Sequence, residues 1–269
     1  MSNENNTSSQ EMSFWGHLDV LRGVLFRIVA VTIVFAIGFF ISMHWLFDNV
    51  ILAPCNSNFP LYVLFDQAIS YFSGDTSNTA SDFNVNLINI KLASQFFIHI
   101  STSCWLAVIC AFPFIIYQIW GFVSPALYEH EKRGIRPAFL FGNIMFFLGV
   151  AVGYFLVFPL TLRFLADYQL SESIANTISL ESYMDNFFAI TFLMGVIFEL
   201  PLLAWLLGKM GFLSRDFFSK YRRHAIVVLL ILAAMITPTG DPFTLSAVFF
   251  PIYILWELSS RLVPNQKQD

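Results

Sequence analysis

Glu129 and Glu131 stand two residues apart inside "GFVSPALYEHEKRGIRP" (121–137), a short polar stretch between two long apolar runs. Lys132, Arg133 and Arg136 follow at once. Basic residues in a connector between membrane helices satisfy the positive-inside rule and need no other reason. The glutamates do need one. They could form a surface ion-pair network with Lys132 and Arg133, which is worth little in stability. They could also form a carboxylate site at the membrane surface, facing the cytoplasm. Such a site suits a cationic ligand, above all guanidinium, which pairs with carboxylate through two parallel hydrogen bonds. Pro125 and Pro137 supply a stiff frame for it.

Two further acids invite chemistry. Glu199 lies in "GVIFELPLL", inside an apolar run, where a carboxylate is costly and normally faces a cavity or a partner. Pro201 follows two residues on, weakening the local helix and freeing a backbone carbonyl. The entry segment "SFWGHLDVLRGVLFR" places Phe14, Trp15, Leu18, Leu21 and Leu25 near helical spacing, as an interfacial amphipathic start with His17, Asp19 and Arg22 as its polar members. Asp19 could simply pair with Arg22 three residues on. No nucleophile elbow, HExxH pair, phosphate loop or glycine fingerprint is present, so no enzyme is expected. None of the five histidines, His17, His44, His99, His130 and His224, pairs with another at i, i+4, and His99 reads as a packing residue. Cys55, Cys104 and Cys110 have no metal-ligand spacing and imply no disulfide framework; no metal or cofactor is expected.

The elements that must hold these residues are membrane helices. The chain has 269 residues, of which 57% are hydrophobic and 12% charged, with 32 Phe. Soluble domains carry about 25% charged residues. The expected fold is all-α and polytopic, with six spans near 24–46, 95–120, 138–158, 187–207, 225–236 and 243–257. Residues 1–13 read as a disordered tail, 14–260 as the membrane domain and 261–269 as a second tail. Of the fourteen Lys and Arg residues, only Lys91 and Arg163 fall in loops on the other side. Both termini are therefore expected in the cytoplasm. The loop 48–94 is exterior and polar; its stretch "PLYVLFDQAISYF" is amphipathic enough to pack over the exterior mouth of the bundle. The fifth and sixth spans are short: twelve residues make a helix of about 18 Å against a hydrocarbon core of about 30 Å. Helices so short must thin the bilayer locally or sit low in the bundle.

Several stretches occur in a familiar order: "HLDVLR" (17–22), "LAP" (52–54), "FPFIIYQIWGFVSPALYEHEKR" (112–133), "GYFLVFPL" (153–160), "FELP" (198–201) and "TPTGDPF" (237–243). Together they resemble the TatC family, the large receptor subunit of the twin-arginine protein translocase, over nearly the whole chain. The resemblance implies six helices in a concave bundle in the bacterial cytoplasmic (inner) membrane. It implies binding of the twin-arginine signal peptides of folded passenger proteins and assembly with other copies and with single-span TatA- and TatB-type partners. It implies transport driven by the protonmotive force, with no nucleotide hydrolysis by the complex and no nucleic-acid partner.

By position, the resemblance makes Glu131 the loop glutamate that contacts the arginine pair, with Glu129, Lys132, Arg133, His17, Leu21 and Arg22 around it. Pro125, Tyr128 and Phe122 match the loop frame. Glu199, with Pro201 and Gln118, matches the intramembrane site facing the cavity and the partners. Pro54 and Asp241 match exterior-loop positions. One departure matters. The family pattern His-Leu-x-Glu-Leu-Arg puts an acid where this chain has Val20, and the acid here is Asp19, about 100° away around a helix. Asp19 serves only if the segment rotates or starts irregularly. The rival reading is a proton-coupled small-solute transporter using Glu199; the lack of an internal repeat and of further midplane acids stands against it.

Overall fold

The computed structural model describes residues 14–73, 83–123, 135–169, 171, 176–237 and 242–263. It is helical almost throughout. Helix α1 (Phe14–Leu46) passes through a π-turn (Phe47–Ile51) and a 3₁₀ turn (Ala53–Cys55), and α2 (Pro60–Ser73) follows. Then come α3 (Ser94–Val123), α4 (Ile135–Val152), a second π-turn (Gly153–Val157) and α5 (Phe158–Asp167). The remainder is α6 (Leu180–Ile197), α7 (Leu200–Lys209), α8 (Arg215–Lys220), α9 (Arg222–Ile236) and α10 (Pro242–Leu262).

Successive long segments run antiparallel, so the molecule has two ends. One carries Arg22, Lys209, Arg222 and Arg261 and is called here the basic end. The other is closed by the segment between α1 and α3 and is called the capped end. Five helical stretches are long and apolar enough to cross a membrane: Leu18–Cys55, Ser94–Phe122, Phe139–Asp167, Leu180–Lys209 and Pro242–Leu262. The expected fifth span is α9, whose 15 residues span about 22 Å, short of a bilayer core. The sixth runs longer than the bounds 243–257. Its 21 residues, about 31 Å, continue through Ser259 and Ser260, whose hydroxyls bond back to the Leu255 and Glu257 carbonyls instead of breaking the helix. The fourth span divides at Phe198–Glu199 into α6 and α7, with Pro201 in the first turn of α7. A proline there withholds one ladder donor, which is the break its place in the sequence predicts.

Packing is uneven. α4 lies along α6, α10 along α7 and α9, and α1 chiefly along α3. Only 6% of the most apolar window of α1 is buried, so its other faces look outward to lipid. α4 and α6 meet through glycines. A Cβ at Gly149 would lie 2.5 Å from the Met194 carbonyl oxygen, and one at Gly195 would lie 2.8 Å from the Phe146 ring. Small residues let membrane helices approach closely, where packing rather than water drives association. α7 ends in a Schellman turn: Gly211 takes φ 84°, and the Phe212 and Gly211 amides return to Leu207 and Gly208.

The amphipathic stretch of the first long loop folds as α2 and packs over the capped end. Tyr62 is fully buried, and its hydroxyl donates toward the Pro54 and Pro159 carbonyls at 3.0 and 3.1 Å. The Arg163 guanidinium lies over the Tyr62 and Phe83 rings. Tyr183 donates to the Ile51 carbonyl. A two-residue parallel ladder pairs Leu87 with Ile178 and Ile88 with Ser179, and Lys91 meets Glu181 at 2.7 Å beside it. The cap thus ties the two loops of this end together by named bonds.

Candidate functional site

At the basic end, the connector 124–134 lies outside the described residues, and with it Glu129, Glu131, Lys132, Arg133, Pro125 and Tyr128. Asp241 also lies outside them. What is described at this end is the start of α1 and the last turns of α3. α1 is regular helix from Phe14 onward, so the offset between Asp19 and Val20 is the full helical one. His17 sits on its second turn. Asp19, Leu21 and Arg22 are all exposed. The alternative in which Asp19 simply pairs with Arg22 is not seen: among the described residues Asp19 has no ion-pair partner, and the Arg22 guanidinium lies 5.6 Å over the Phe26 ring. Phe122, half-buried, closes the last turn of α3 just before the connector.

One turn deeper, Gln118 on α3 is buried and accepts a hydrogen bond from Arg27 of α1 at 3.3 Å. A guanidinium inside a span needs such a partner. Nearby on the same helix, the Trp120 indole N–H is buried with no hydrogen-bond partner among the described residues.

Glu199 occupies the break between α6 and α7 with 9% of its surface exposed. Its Oε1 has no hydrogen-bond partner among the described residues. The carboxylate lies against the bare backbone of Gly142 on α4: a Cβ built there would stand 3.0 Å from Oε2, 3.5 Å from Oε1 and 2.5 Å from Leu202 Cδ2. Next to Gly142, Asn143 spends its amide N–H on the Phe139 carbonyl, and its own Oδ1 has no hydrogen-bond partner among the described residues. Unpaired buried polar atoms are rare and costly, and an ordered water or a partner group is the usual remedy. Pro201 is buried in the first turn of α7 and holds this break open. Pro54, at the capped end, is buried and serves as an acceptor for Tyr62.

The fold brings together residues that sequence reasoning did not single out. Gly142 and Leu202 stand against the Glu199 carboxyl group, and Arg27 reaches Gln118. A glycine carries no chemical signal in a sequence. Only the approach of a second helix reveals what its missing side chain makes room for. For Arg27 the signal existed: it lies within the apolar run that begins α1, and not in a connector.

The family model described as "Sec-independent protein translocase protein (TatC)" matches residues 16–251. The chain belongs to the TatC family. A TatC protein of Blattabacterium sp. subsp. Periplaneta americana (strain BPLAN) is 32% identical over 260 residues, 96% of each chain. Two solved structures are similar in fold. "Crystal Structure of Twin Arginine Translocase Receptor- TatC in DDM" aligns at a TM-score of 0.73 and 27% identity, covering 92% of this chain and 99% of that one. "Crystal Structure of Twin Arginine Translocase Receptor- TatC" aligns at 0.69 and 28%, covering 91% and 97%. This TatC-family chain is a multi-pass membrane protein and a component of a Sec-independent protein translocase. A small-solute transporter is not favoured.

Proposed function

We propose that this chain is the receptor and core subunit of a twin-arginine translocase in a bacterial inner membrane, with both termini in the cytoplasm and no catalytic activity of its own. The observation that carries the reading is the likeness, over 92% of the chain, to a structure described as a twin-arginine translocase receptor. The residues supply a mechanism. Carboxylates at the mouth of the basic end, Glu131 first and Glu129 beside it, pair with the guanidinium groups of a signal peptide. Asp19 and Arg22 stand exposed on the neighbouring turns of α1, with Leu21 between them as an apolar contact. The apolar part of the signal then runs along the bundle toward Glu199. There a buried carboxylate at a broken helix offers an acceptor to a single-span partner of TatA or TatB type.

Site-specific photocrosslinking from position 131 to a labelled twin-arginine peptide tests the reading. Crosslinks that disappear when the two arginines are replaced by lysine support it, because lysine cannot reproduce the forked pairing. Equal crosslinking of the arginine and lysine peptides overturns it.

A further inference from the structure

We propose that a cavity between α1 and α3 at the capped end binds the primary ammonium head of a membrane lipid. The cavity measures about 400 Å³, within the range of small-molecule sites. Its polar lining comes from four side chains. His44 and Asp48 stand four residues apart at the end of α1 and in the π-turn; Gln95 and His99 stand four residues apart in the first turns of α3. Antiparallel packing sets these two pairs across one opening, although no two of the histidines are near each other in sequence.

All four groups can present acceptors. Asp48 has no ion-pair partner among the described residues, and neither His44 nor Gln95 has a side-chain hydrogen bond there. The His99 ring stacks on Phe40, and its Nε2 meets the Phe40 carbonyl at 3.0 Å. A carbonyl only accepts, so Nε2 carries the proton and Nδ1 of the neutral ring keeps its lone pair. A carboxylate, an amide oxygen and imidazole lone pairs around one cavity call for a cation with several N–H donors. A primary ammonium has three. A bare metal ion fits less well, because no three His, Cys, Asp or Glu among the described residues stand at metal-ligand range, whereas an ammonium can rest on the one carboxylate and reach the other acceptors through water.

Two observations point to a lipid as the source. The cavity lies at the first turns of the apolar stretch Ser94–Phe122 and beside the last turn of α1, near the capped end of both helices, where head groups are met. Its remaining wall includes Phe47 and Phe96, and Phe96 is mostly exposed. That wall suits glycerol and the start of an acyl chain and gives a free ammonium nothing to gain. A choline head has no N–H to donate and is the natural discriminator. The site lies at the end opposite the signal-binding connector and does not rest on that reading.

Native mass spectrometry of the full-length protein, released from nanodiscs of mixed ethanolamine-head and choline-head phospholipid with matched acyl chains, tests the proposal. The ethanolamine-head lipid is expected to be retained about tenfold over the choline-head lipid, the discrimination of one charge-assisted hydrogen-bond set. Asp48→Asn is expected to abolish the preference with unchanged thermal unfolding. Gln95→Leu, which leaves the carboxylate in place, is expected to reduce it partly. Asp185→Asn, in a different cavity of the same end, is expected to leave it intact. Equal retention of the two lipids overturns the proposal. So does a preference that survives Asp48→Asn, or full displacement by soluble phosphoethanolamine or by an oligolysine peptide.

Discussion

A single carboxylate carries different weight at different depths. Glu131 lies in the connector, and on the proposed reading charge reversal there acts on binding. Glu131→Lys is expected to weaken a twin-arginine peptide at least about tenfold, or about 1.4 kcal/mol, with a smaller loss for Asp19→Asn. Fluorescence anisotropy of a labelled peptide on nanodisc-held protein measures both. Glu199 is buried with an unpaired oxygen, so Glu199→Gln, which keeps its shape, is expected to leave thermal stability unchanged or raise it while export of a twin-arginine precursor falls. Unfolding curves and vesicle import assays on the same preparation separate the two effects. Tyr62 shows a residue whose work is structural. Burial pushes its phenol up from the ordinary range, so the hydroxyl keeps the proton it donates toward Pro54 and Pro159. Tyr62→Phe leaves both carbonyls without that donor, and a loss of about 1–3 kcal/mol is expected in thermal or denaturant unfolding.

At the scale of elements, the pairing of α4 with α6 depends on glycine more than on any large side chain. A methyl at Gly149 collides with the Met194 backbone oxygen at 2.5 Å and with Phe198 Cβ at 2.7 Å. Backbone cannot rotate away, so the helices must separate. Gly149→Ala is expected to cost about 1–3 kcal/mol, read as a lowered unfolding temperature. Gly121→Ala, where a Cβ meets nothing within 4 Å, is expected to cost nothing. Gly142 is the member of this set that faces a carboxyl group. The obstruction there is partly the end of a flexible leucine, so Gly142→Ala is expected to displace the Glu199 carboxylate more than it lowers stability. Reaction of Glu199 with an apolar carbodiimide, compared in the two variants, reports that displacement.

For the whole molecule, charge sets orientation and packing sets shape. Among the described residues the basic end carries Arg22, Lys209, Arg222 and Arg261, and the capped end holds Lys91 and Arg163, both engaged with neighbours. On a background without the native cysteines, Asn6→Cys and Lys267→Cys are expected to react with an impermeant maleimide only after the cytoplasmic face is opened. Asn78→Cys is expected to react in intact cells. The opposite pattern would reverse the assigned orientation. α9 falls short of the bilayer core, and neighbouring α10 covers about the full thickness, so any local thinning of the membrane is centred on α9.

Composition and runs of apolar residues determined the class of fold, five long apolar stretches in order, and the weakened helix beside Pro201. Those follow from what each residue does alone in lipid: bury its side chain, satisfy its backbone, or fail to donate. The same logic placed Glu199 in the membrane and α2 over the mouth. The tertiary structure alone decided which residues meet across helices. Arg27 finds Gln118, Gly142 makes the seat of Glu199, His44 and His99 come to one cavity, and Arg22 turns to Phe26 instead of Asp19. Each of these depends on the separation, register and tilt of two distant segments, and no local pattern in a chain encodes such quantities.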